Sequence, residues 1–218
     1  MGKITKLTVQ QKNDQRVNVF VDDVYTLSLD VFQVAEFGLR VGKEFTDTEL
    51  KELEEESAFG KLYAQALEYT MIRPHSEREI RDYLWRKTRD RKVRSKRTGE
   101  LITRKGVSVE LTERVLQRLV DKGYVNDESF TRYWVENRNQ RKGISRRKLE
   151  AELRAKGIGT EVIASAMQKY PRDEKSELRK IIEKKSRRYD DRNKLIAYLA
   201  RQGFSYEDIQ TALSEDQD

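Results

Sequence analysis

The sequence contains no cysteine, one histidine and two prolines among its 218 residues. Without cysteine, the chain forms no disulfide bond and no thiolate metal site. His75 is the sole histidine, so a histidine-containing zinc site or a Ser-His-Asp triad would have to be built on it, which disfavours both. No Walker-type glycine loop is present, although the many Asp and Glu residues leave a carboxylate site open. We therefore expect a non-enzymatic protein that needs no metal and no cofactor.

Long apolar runs are also missing. Residues 1–9 hold no apolar run of the length found in signal peptides. No stretch approaches the roughly 20 consecutive apolar residues of a membrane helix. We therefore expect a soluble, cytoplasmic protein with no membrane partner.

Charged residues are abundant instead, at 38% of the chain against 36% for hydrophobic residues. This balance is typical of small helical modules with narrow apolar stripes. The segment 85–104 holds nine basic and two acidic residues, so its charge of +7 equals the net charge of the whole chain. Such a concentration of positive charge indicates an anionic partner. The basic residues of this segment are Arg86, Lys87, Arg89, Arg91, Lys92, Arg94, Lys96, Arg97 and Arg104.

The N-terminal region has the pattern of β-strands. Apolar and polar residues alternate over 17–21 and again over 25–29, and 4–10 is a third candidate. A period of two places each apolar set on one face of a sheet. The pattern predicts a three-stranded meander with turns at 13–14 and 22–23.

Capping signals predict the first helices. Asp30 is placed to cap a short helix that ends at Gly38. Capping boxes at 46–49 and 76–79 predict an acidic helix through Glu56 and a helix that carries Ile80 and Leu84. A separate helical stripe runs from Phe59 to Met71, and Pro74 interrupts the chain after it.

An internal repeat is the strongest pattern in the sequence. Two leucines one helical turn apart are followed by a glycine and an apolar residue, in the sets Leu149, Leu153, Gly157 and Ile158, and Leu195, Leu199, Gly203 and Phe204. The second half of the pattern recurs around Gly106. Glycine is expected after each first helix because it adopts a positive φ at little cost. With one preceding helix for each copy, the repeat predicts three units of three helices.

The sequence therefore predicts a mainly α-helical protein with three tandem three-helix units in an elongated array, preceded by a small β-rich N-terminal domain. The predicted boundaries are 1–45 for the β-meander domain with its short helix, 46–122 for the acidic linker helix and first unit, 123–171 for the second unit and 172–218 for the third. The basic segment 85–104 contains an insertion between two helices of the first unit.

The repeats carry a family resemblance. Residues 123–138, 141–158 and 64–79 are similar to the signatures of RecX proteins, and the N-terminal segment that begins at Ile4 is similar to the extension of longer Gram-positive members. The signature positions, which we expect to be mostly structural, are Gly123, Tyr124, Asp127, Phe130, Trp134, Gly143, Leu149, Leu153 and Gly157.

The resemblance implies a regulator of the RecA recombinase. RecX-like proteins bind the groove of the RecA–single-stranded DNA filament and inhibit its ATPase, strand-exchange and coprotease activities, without catalysis of their own. The implied context is recombination, DNA repair and SOS regulation. The expected partners are the RecA filament and single-stranded DNA, with duplex DNA as a further partner, and the expected state is a monomer. The long insertion departs from the common pattern of the family.

Two basic segments are candidate contacts with DNA or the filament. The first is the insertion, where Val93, Leu101 and Ile102 flank a turn at 97–100 and predict a hairpin arm. The alternative is a solvated loop without a partner. The second comprises Arg138, Arg141, Lys142, Arg146, Arg147 and Lys148, with no acidic residue between 137 and 148. Cations at a helix N-terminus are unfavourable with the helix dipole, which favours a contact over a purely structural role. A third cluster, 179–188, is predicted to be a solvated face.

Other conspicuous residues are predicted to be structural. Phe130 and Trp134 lie four positions apart, so core packing is favoured over base stacking for them, and also for Tyr124 and Tyr133. Asp127 is predicted to cap a helix, with Asn126 as the alternative. For His75 we expect exposure to solvent or a local hydrogen bond. Acidic residues 47–56 are predicted to form a solvated helix face, with contact to a basic surface as the alternative.

A second class of function stays open at this point. The helix–glycine–helix pairs resemble helix-turn-helix geometry, which is typical of DNA-binding proteins that act without RecA.

Overall fold

The computed structural model describes residues 2–11, 13–95, 99–189 and 191–215. The chain folds into two compact units. The first comprises Met1–Ile72 and Arg81–Lys122, and the second comprises Arg73–Ile80 and Gly123–Asp218.

The first unit begins with an antiparallel sheet. Strands β1 (Gly2–Gln10), β2 (Asn13–Val21) and β3 (Val24–Asp30) form the predicted meander, and β4 (Glu44–Phe45) pairs with the start of β1. Strand β4 was not predicted because two residues carry no alternation. Asp22 and Asp23 have φ of 49° and 67°, the positive values that a two-residue hairpin turn requires. The prediction of a turn at 13–14 is wrong, since Asn13 already pairs with Gln10.

Helix α1 (Val31–Glu36) follows the sheet, and the predicted cap is confirmed. The Asp30 side chain accepts a hydrogen bond from the Gln33 backbone, and Gly38 has φ of 55°. Gln33 also joins α1 to helix α2 (Asp47–Ile72), because its Nε2 donates to the Glu56 carbonyl at 3.0 Å. The buried core of the sheet side contains Ile4, Val19, Val21, Leu27, Leu29, Leu39, Phe45 and Leu53.

Helix α2 is continuous over 26 residues, so the prediction of two separate helices, one through Glu56 and one from Phe59, is wrong. No proline lies between the two stretches, and Gly60 serves packing instead of a break. A Cβ at Gly60 would lie 2.9 Å from the Gln33 amide oxygen. The capping box at the start is confirmed, because the Glu49 backbone donates to Thr46 Oγ1 and the Thr46 backbone donates to Glu49.

The rest of the first unit carries the basic insertion. Helix α3 (Glu77–Trp85) has its first four residues in the second unit and the rest in the first, and it is followed by a 3₁₀ turn at Arg86–Thr88. Strands β5 (Arg91–Arg94) and β6 (Leu101–Arg104) then pair as an antiparallel hairpin, which confirms the predicted hairpin, and helix α4 (Val109–Asp121) follows.

The second unit is helical throughout the part that the structure describes. Its complete helices are α5 (Asp127–Asn137), α6 (Arg146–Ala155), α7 (Thr160–Lys169), α8 (Glu174–Lys185), α9 (Arg192–Arg201) and α10 (Tyr206–Glu215). One apolar core forms around Phe130, Leu149, Leu153 and Ile163, and another forms around Leu178, Leu199 and Ile209. The predicted fold class, mainly helical with an N-terminal β-sheet, is confirmed.

The repeat glycines have two different roles. Gly157 and Gly203 have φ of 85° and 96° and end α6 and α9, as predicted. Gly106 does not end a helix, so that part of the prediction is wrong. A Cβ at Gly106 would lie 1.9 Å from the Thr88 carbonyl oxygen, so glycine is required there for a close crossing of two backbone segments.

A repeated joint connects the ends of helices in the second unit. Ser76, which caps α3, donates its hydroxyl to the Lys156 carbonyl at the end of α6. Ser145, which caps α6, donates in the same way to the Gln202 carbonyl at the end of α9. Each contact places the positive end of one helix dipole against the negative end of another, which is favourable. We call this arrangement the repeat joint.

An acidic residue completes each repeat joint. Asp127 Oδ1 accepts a hydrogen bond from the first backbone amide of α3, at Glu77, over 2.8 Å. Glu174 accepts from the first amide of α6, at Arg146, over 3.1 Å. Both bonds satisfy an amide that has no partner within its own helix.

Gly143 and Gly123 form a matched pair for testing how packing depends on glycine. Both have positive φ, at 78° and 73°, but a Cβ at Gly143 would lie 2.3 Å from the Glu177 carbonyl oxygen, whereas nothing lies within 4 Å at Gly123. We expect Gly143→Ala to lower the free energy of unfolding by more than about 3 kcal/mol, and Gly123→Ala by about 1–2 kcal/mol. Chemical denaturation followed by circular dichroism measures both. Equal losses would contradict the packing role of Gly143.

Candidate binding surfaces

The base of the β5–β6 hairpin is held by backbone contacts. The Gly106 amide donates to Asp90 Oδ1 at 2.8 Å, and the Val107 amide donates to the Lys87 carbonyl at 3.1 Å. Because Gly106 has no side chain, the segment after β6 can cross directly over the backbone of Thr88, which precedes β5. The insertion therefore starts from a defined geometry. We call β5, β6 and the segments that cross below them the basic ribbon, residues 86–107.

Cations are distributed over both faces of the basic ribbon. Arg91 lies directly opposite Arg104, and Val93 opposite Ile102. Side chains alternate along a strand, so Lys92 and Arg94 belong to the other face. Like charges directly opposite each other on a two-stranded ribbon destabilise it. An anionic partner would relieve that repulsion.

The predicted residues of the insertion fall into three groups. Arg86 and Lys87 lie over the Tyr83 ring, and Arg89 lies 3.9 Å from the centre of the Trp85 ring. Lys96 and Arg97 lie outside the described residues. The remaining four, Arg91, Lys92, Arg94 and Arg104, are exposed and have neither an aromatic nor an acidic partner among the described residues.

The second basic segment is divided by its contacts. Arg138 pairs with Glu152 at 2.7 Å and lies over the Trp134 ring, and Arg146 pairs with Glu150 at 3.0 Å. The hydrogen bond from Glu152 raises the pKa of Arg138. Burial alone would raise the pKa of Glu152, but the hydrogen bonds from Arg138 and Trp134 outweigh it, so this pKa is lowered. The arrangement gives Arg138 a structural role.

Only part of the second basic segment is available to a partner. Lys148 donates to the Gln202 side chain, at the repeat joint. Arg141, Lys142 and Arg147 are exposed and have no acidic partner in the described ranges of the chain. Of the predicted cations in this segment, these three are the candidates for contact.

The predicted solvated face at 179–188 is partly engaged. Arg179 pairs with Glu215 at 2.5 Å, and Lys180 pairs with Glu177 at 2.8 Å. Lys184 donates its ammonium group to the Arg141 carbonyl. The end of α8 therefore lies beside the loop that carries Arg141, which sequence periodicity within α8 does not reveal.

Several signature residues are placed as the sequence predicts, with two corrections. Phe130 is fully buried and packs on Trp134 with ring centres 5.4 Å apart. Tyr124, by contrast, is 45% exposed, so its predicted place in the core is wrong. Asn126, the alternative, caps α5 through Ser129, while Asp127 contributes to the repeat joint. Leu149 and Leu153 are in the core. The signature glycines Gly123, Gly143 and Gly157 all have positive φ.

A buried carboxylate that the sequence did not reveal anchors the loop before α6. Glu177 is 4% exposed and accepts from the Ile144 amide at 2.9 Å, from Arg172 at 2.8 Å and from Lys180 at 2.8 Å. Its backbone carbonyl lies against Gly143. In the sequence, Glu177 is one acidic residue among many. The only signal of its burial is its position within an apolar helical stripe.

The single histidine is buried, so of the two predicted alternatives exposure to solvent is wrong, and the local hydrogen bond is confirmed by its bond with the Arg73 backbone. His75 is 3% exposed. Burial lowers its pKa below the ordinary value of 6.5, and the charges of Arg73 and Lys156 lower it further, while Glu79 opposes them. Glu79 bonds to Arg73 at 2.9 Å and to Lys156 at 2.5 Å.

The lowered pKa of His75 predicts a loss of stability in mild acid. The unfolded chain binds the proton more tightly than the folded chain, so the contribution of His75 is full above pH 6.5 and is lost as the pH falls below it. We expect the melting temperature to fall between about pH 7 and pH 5.5, and His75→Gln to remove most of that slope. Burial raises the pKa of Glu174, so the contribution of Glu174 to stability increases as the pH falls. This contribution is the same in the unmodified protein and in the His75→Gln variant. An equal slope in both proteins would contradict the prediction.

Within the described ranges, no group of three or more His, Asp or Glu side chains is arranged to hold a metal ion. None of the described helices is both long and apolar enough to cross a membrane.

Family models match three parts of the chain. The regulatory protein RecX N-terminal domain matches residues 2–46, the second three-helix domain of RecX matches 126–167, and the third three-helix domain of RecX matches 173–213.

Curated relatives match nearly the whole chain. The regulatory protein RecX of Bacillus pumilus (strain SAFR-032) is 30% identical over 224 residues, which cover 99% of this chain and 78% of the relative. The regulatory protein RecX of Clostridium tetani (strain Massachusetts / E88) is also 30% identical, over 99% of this chain and 94% of the relative.

Solved structures share the fold. A crystal structure of regulatory protein RecX has a TM-score of 0.71 and 19% identity, with 98% of this chain and all of that chain covered. The crystal structure of RecX from Lactobacillus salivarius has a TM-score of 0.51 and 21% identity, over 72% of this chain and 95% of that one.

Proposed function

Because the chain belongs to the RecX family of regulatory proteins, we propose that it is a non-enzymatic negative modulator of RecA. It binds the groove of the RecA–single-stranded DNA filament and inhibits ATP hydrolysis, strand exchange and coprotease activity. The observation that carries the proposal is the basic ribbon, whose exposed cations have no acidic partner in the described chain.

The charges of the ribbon suit a partner rich in phosphate. Arg91 and Arg104 face each other, and Lys92 and Arg94 occupy the opposite face, so a ribbon inserted between phosphates or acidic side chains is contacted on both faces. The contact relieves the repulsion between Arg91 and Arg104. Bound in the groove, the chain opposes the subunit rearrangements that accompany ATP turnover.

Titration of RecA ATPase on single-stranded DNA with this protein tests the proposal. Inhibition at protein concentrations well below those that coat the DNA supports binding to the filament. If ATP hydrolysis is unchanged while the protein binds duplex DNA, the protein acts as a DNA-binding protein independent of RecA, and the proposal fails.

The variant Arg91→Gln/Arg104→Gln isolates the contribution of the ribbon. We expect the concentration for half-maximal inhibition of ATPase to rise roughly 25-fold at about 0.1 M salt, because two single-strand phosphate contacts are lost. The matched control is Arg154→Gln/Arg179→Gln, which removes the same charge from arginines that already pair with Glu150 and Glu215. Equal effects of the two variants would mean that net charge, and not the ribbon, determines inhibition.

A further inference from the structure

A concave surface lies at the base of the basic ribbon, within the first compact unit. Its volume is about 310 Å³, and its walls come from β3, α2 and the crossing segments of the ribbon. This volume is at the lower end of the range for small-ligand sites, which is roughly 300–1,000 Å³. A single nucleotide unit fits such a volume, and a base pair within a duplex does not.

Four cations line this concavity. Lys61 comes from α2, Lys87 from the 3₁₀ turn, Arg91 from β5 and Lys105 from the segment after β6, while Glu54 is the one acidic residue of the lining. Lys61 and Lys105 are outside the set of cations that the sequence singled out, because Lys61 lies far from the basic segment in the chain and Lys105 is one residue beyond its end. The walls therefore carry a net positive charge.

The local electrostatics also favour an anion. Partial burial lowers the pKa of Lys61, and the charge of Arg16 lowers it further. The ammonium group of Lys87 donates to the Gln65 side chain at 3.1 Å, so its contact is neutral and leaves its charge uncompensated. An anion would stabilise both ammonium groups.

Part of the lining of the concavity is apolar. Leu27 and Leu62 are 3% and 4% exposed, and Ala58 and Val107 also line the surface. A lining that combines apolar and cationic side chains matches a nucleotide, whose base has an apolar face and whose phosphate is anionic.

The cationic wall is positioned before any ligand binds. The Gly106 amide bonds to Asp90 and the Val107 amide bonds to the Lys87 carbonyl, on either side of the crossing at Thr88. These contacts hold the backbone immediately after Lys105, and the pairing of Arg104 with Arg91 holds it immediately before. Little conformational entropy is then lost when an anion binds.

We propose that this concavity binds one nucleotide of single-stranded DNA, with the phosphate on Lys61, Lys87 and Lys105 and the base against Leu62 and Val107. The site deepens the proposed function, on which it rests for the presence of single-stranded DNA beside the protein. The strand continues from Arg91 along the ribbon. Duplex DNA contacts the ribbon but leaves the concavity empty, because its bases are stacked and paired.

Fluorescence anisotropy with a labelled oligothymidine, measured on the full chain over a range of salt concentrations, tests the site. The variant is Lys61→Gln/Lys105→Gln. At about 0.1 M salt we expect roughly fivefold weaker binding, and a slope of log affinity against log salt that is smaller by about 0.7, since both lysines contact the same phosphate and one single-strand phosphate contributes about 0.7. Binding of a duplex of the same length should change less than single-strand binding does.

A control is Lys51→Gln, which removes one lysine from an exposed position of the same helix α2. It should leave the affinity for the oligothymidine within about twofold of the unmodified protein and the slope unchanged. A circular dichroism melt of each variant reports whether the fold is retained.

The outcomes separate this site from the proposed function. Normal oligothymidine binding by the folded Lys61→Gln/Lys105→Gln variant overturns the site. If that variant also loses inhibition of RecA, the concavity receives an acidic protein side chain instead. Weaker oligothymidine binding by the variant, in a protein that has no effect on RecA ATPase, supports the site and overturns the proposed function.

Discussion

The repeat joint is the contact on which the second compact unit depends. Helices α6, α7, α9 and α10 have ten residues each, a length at which an isolated helix is marginal in water. In each joint a serine caps one helix and donates to the last carbonyl of another, and an acidic residue accepts the first free amide. The carbonyl at the end of one helix and the first amide of the next would otherwise lack hydrogen-bond partners, and both gain one in the joint. The negative end of one helix dipole also lies against the positive end of the other.

The joint also explains why some cations are not available for binding. Arg146 and Lys148 lie at the start of α6, where a cation is unfavourable with the helix dipole. Glu150 and Glu174 lie close to Arg146, and Lys148 reaches the Gln202 side chain at the end of α9. The structure therefore compensates the charge of Arg146 with carboxylates and holds Lys148 by a hydrogen bond. The basic ribbon has no such compensation in its described residues, which is why the proposed contacts with DNA concentrate there.

Much of the architecture was predictable because local signals specified it. Period-two alternation predicted the meander, capping boxes predicted the starts of α2 and α3, and Gly157 and Gly203 predicted helix ends. Each signal acts within a few residues of chain. The same local signal gave a wrong prediction at Gly106. Glycine is required there because the chain passes against the backbone of Thr88, 18 positions earlier, and no local pattern reports a contact at that separation.

By itself, the sequence determined the class of fold and the segment with the highest positive charge, because these depend on composition, periodicity and spacing, and its motifs carried the resemblance to the RecX family. Tertiary structure decided which charges are free. Arg138 and Arg141 are near neighbours in sequence, yet Glu152 pairs with the first, and the second has no acidic partner in the described chain. It also brought Lys61 and Lys105 to one concavity. The physical reason is that electrostatic energy depends on distance in space and on burial, and neither follows from the order of residues along the chain.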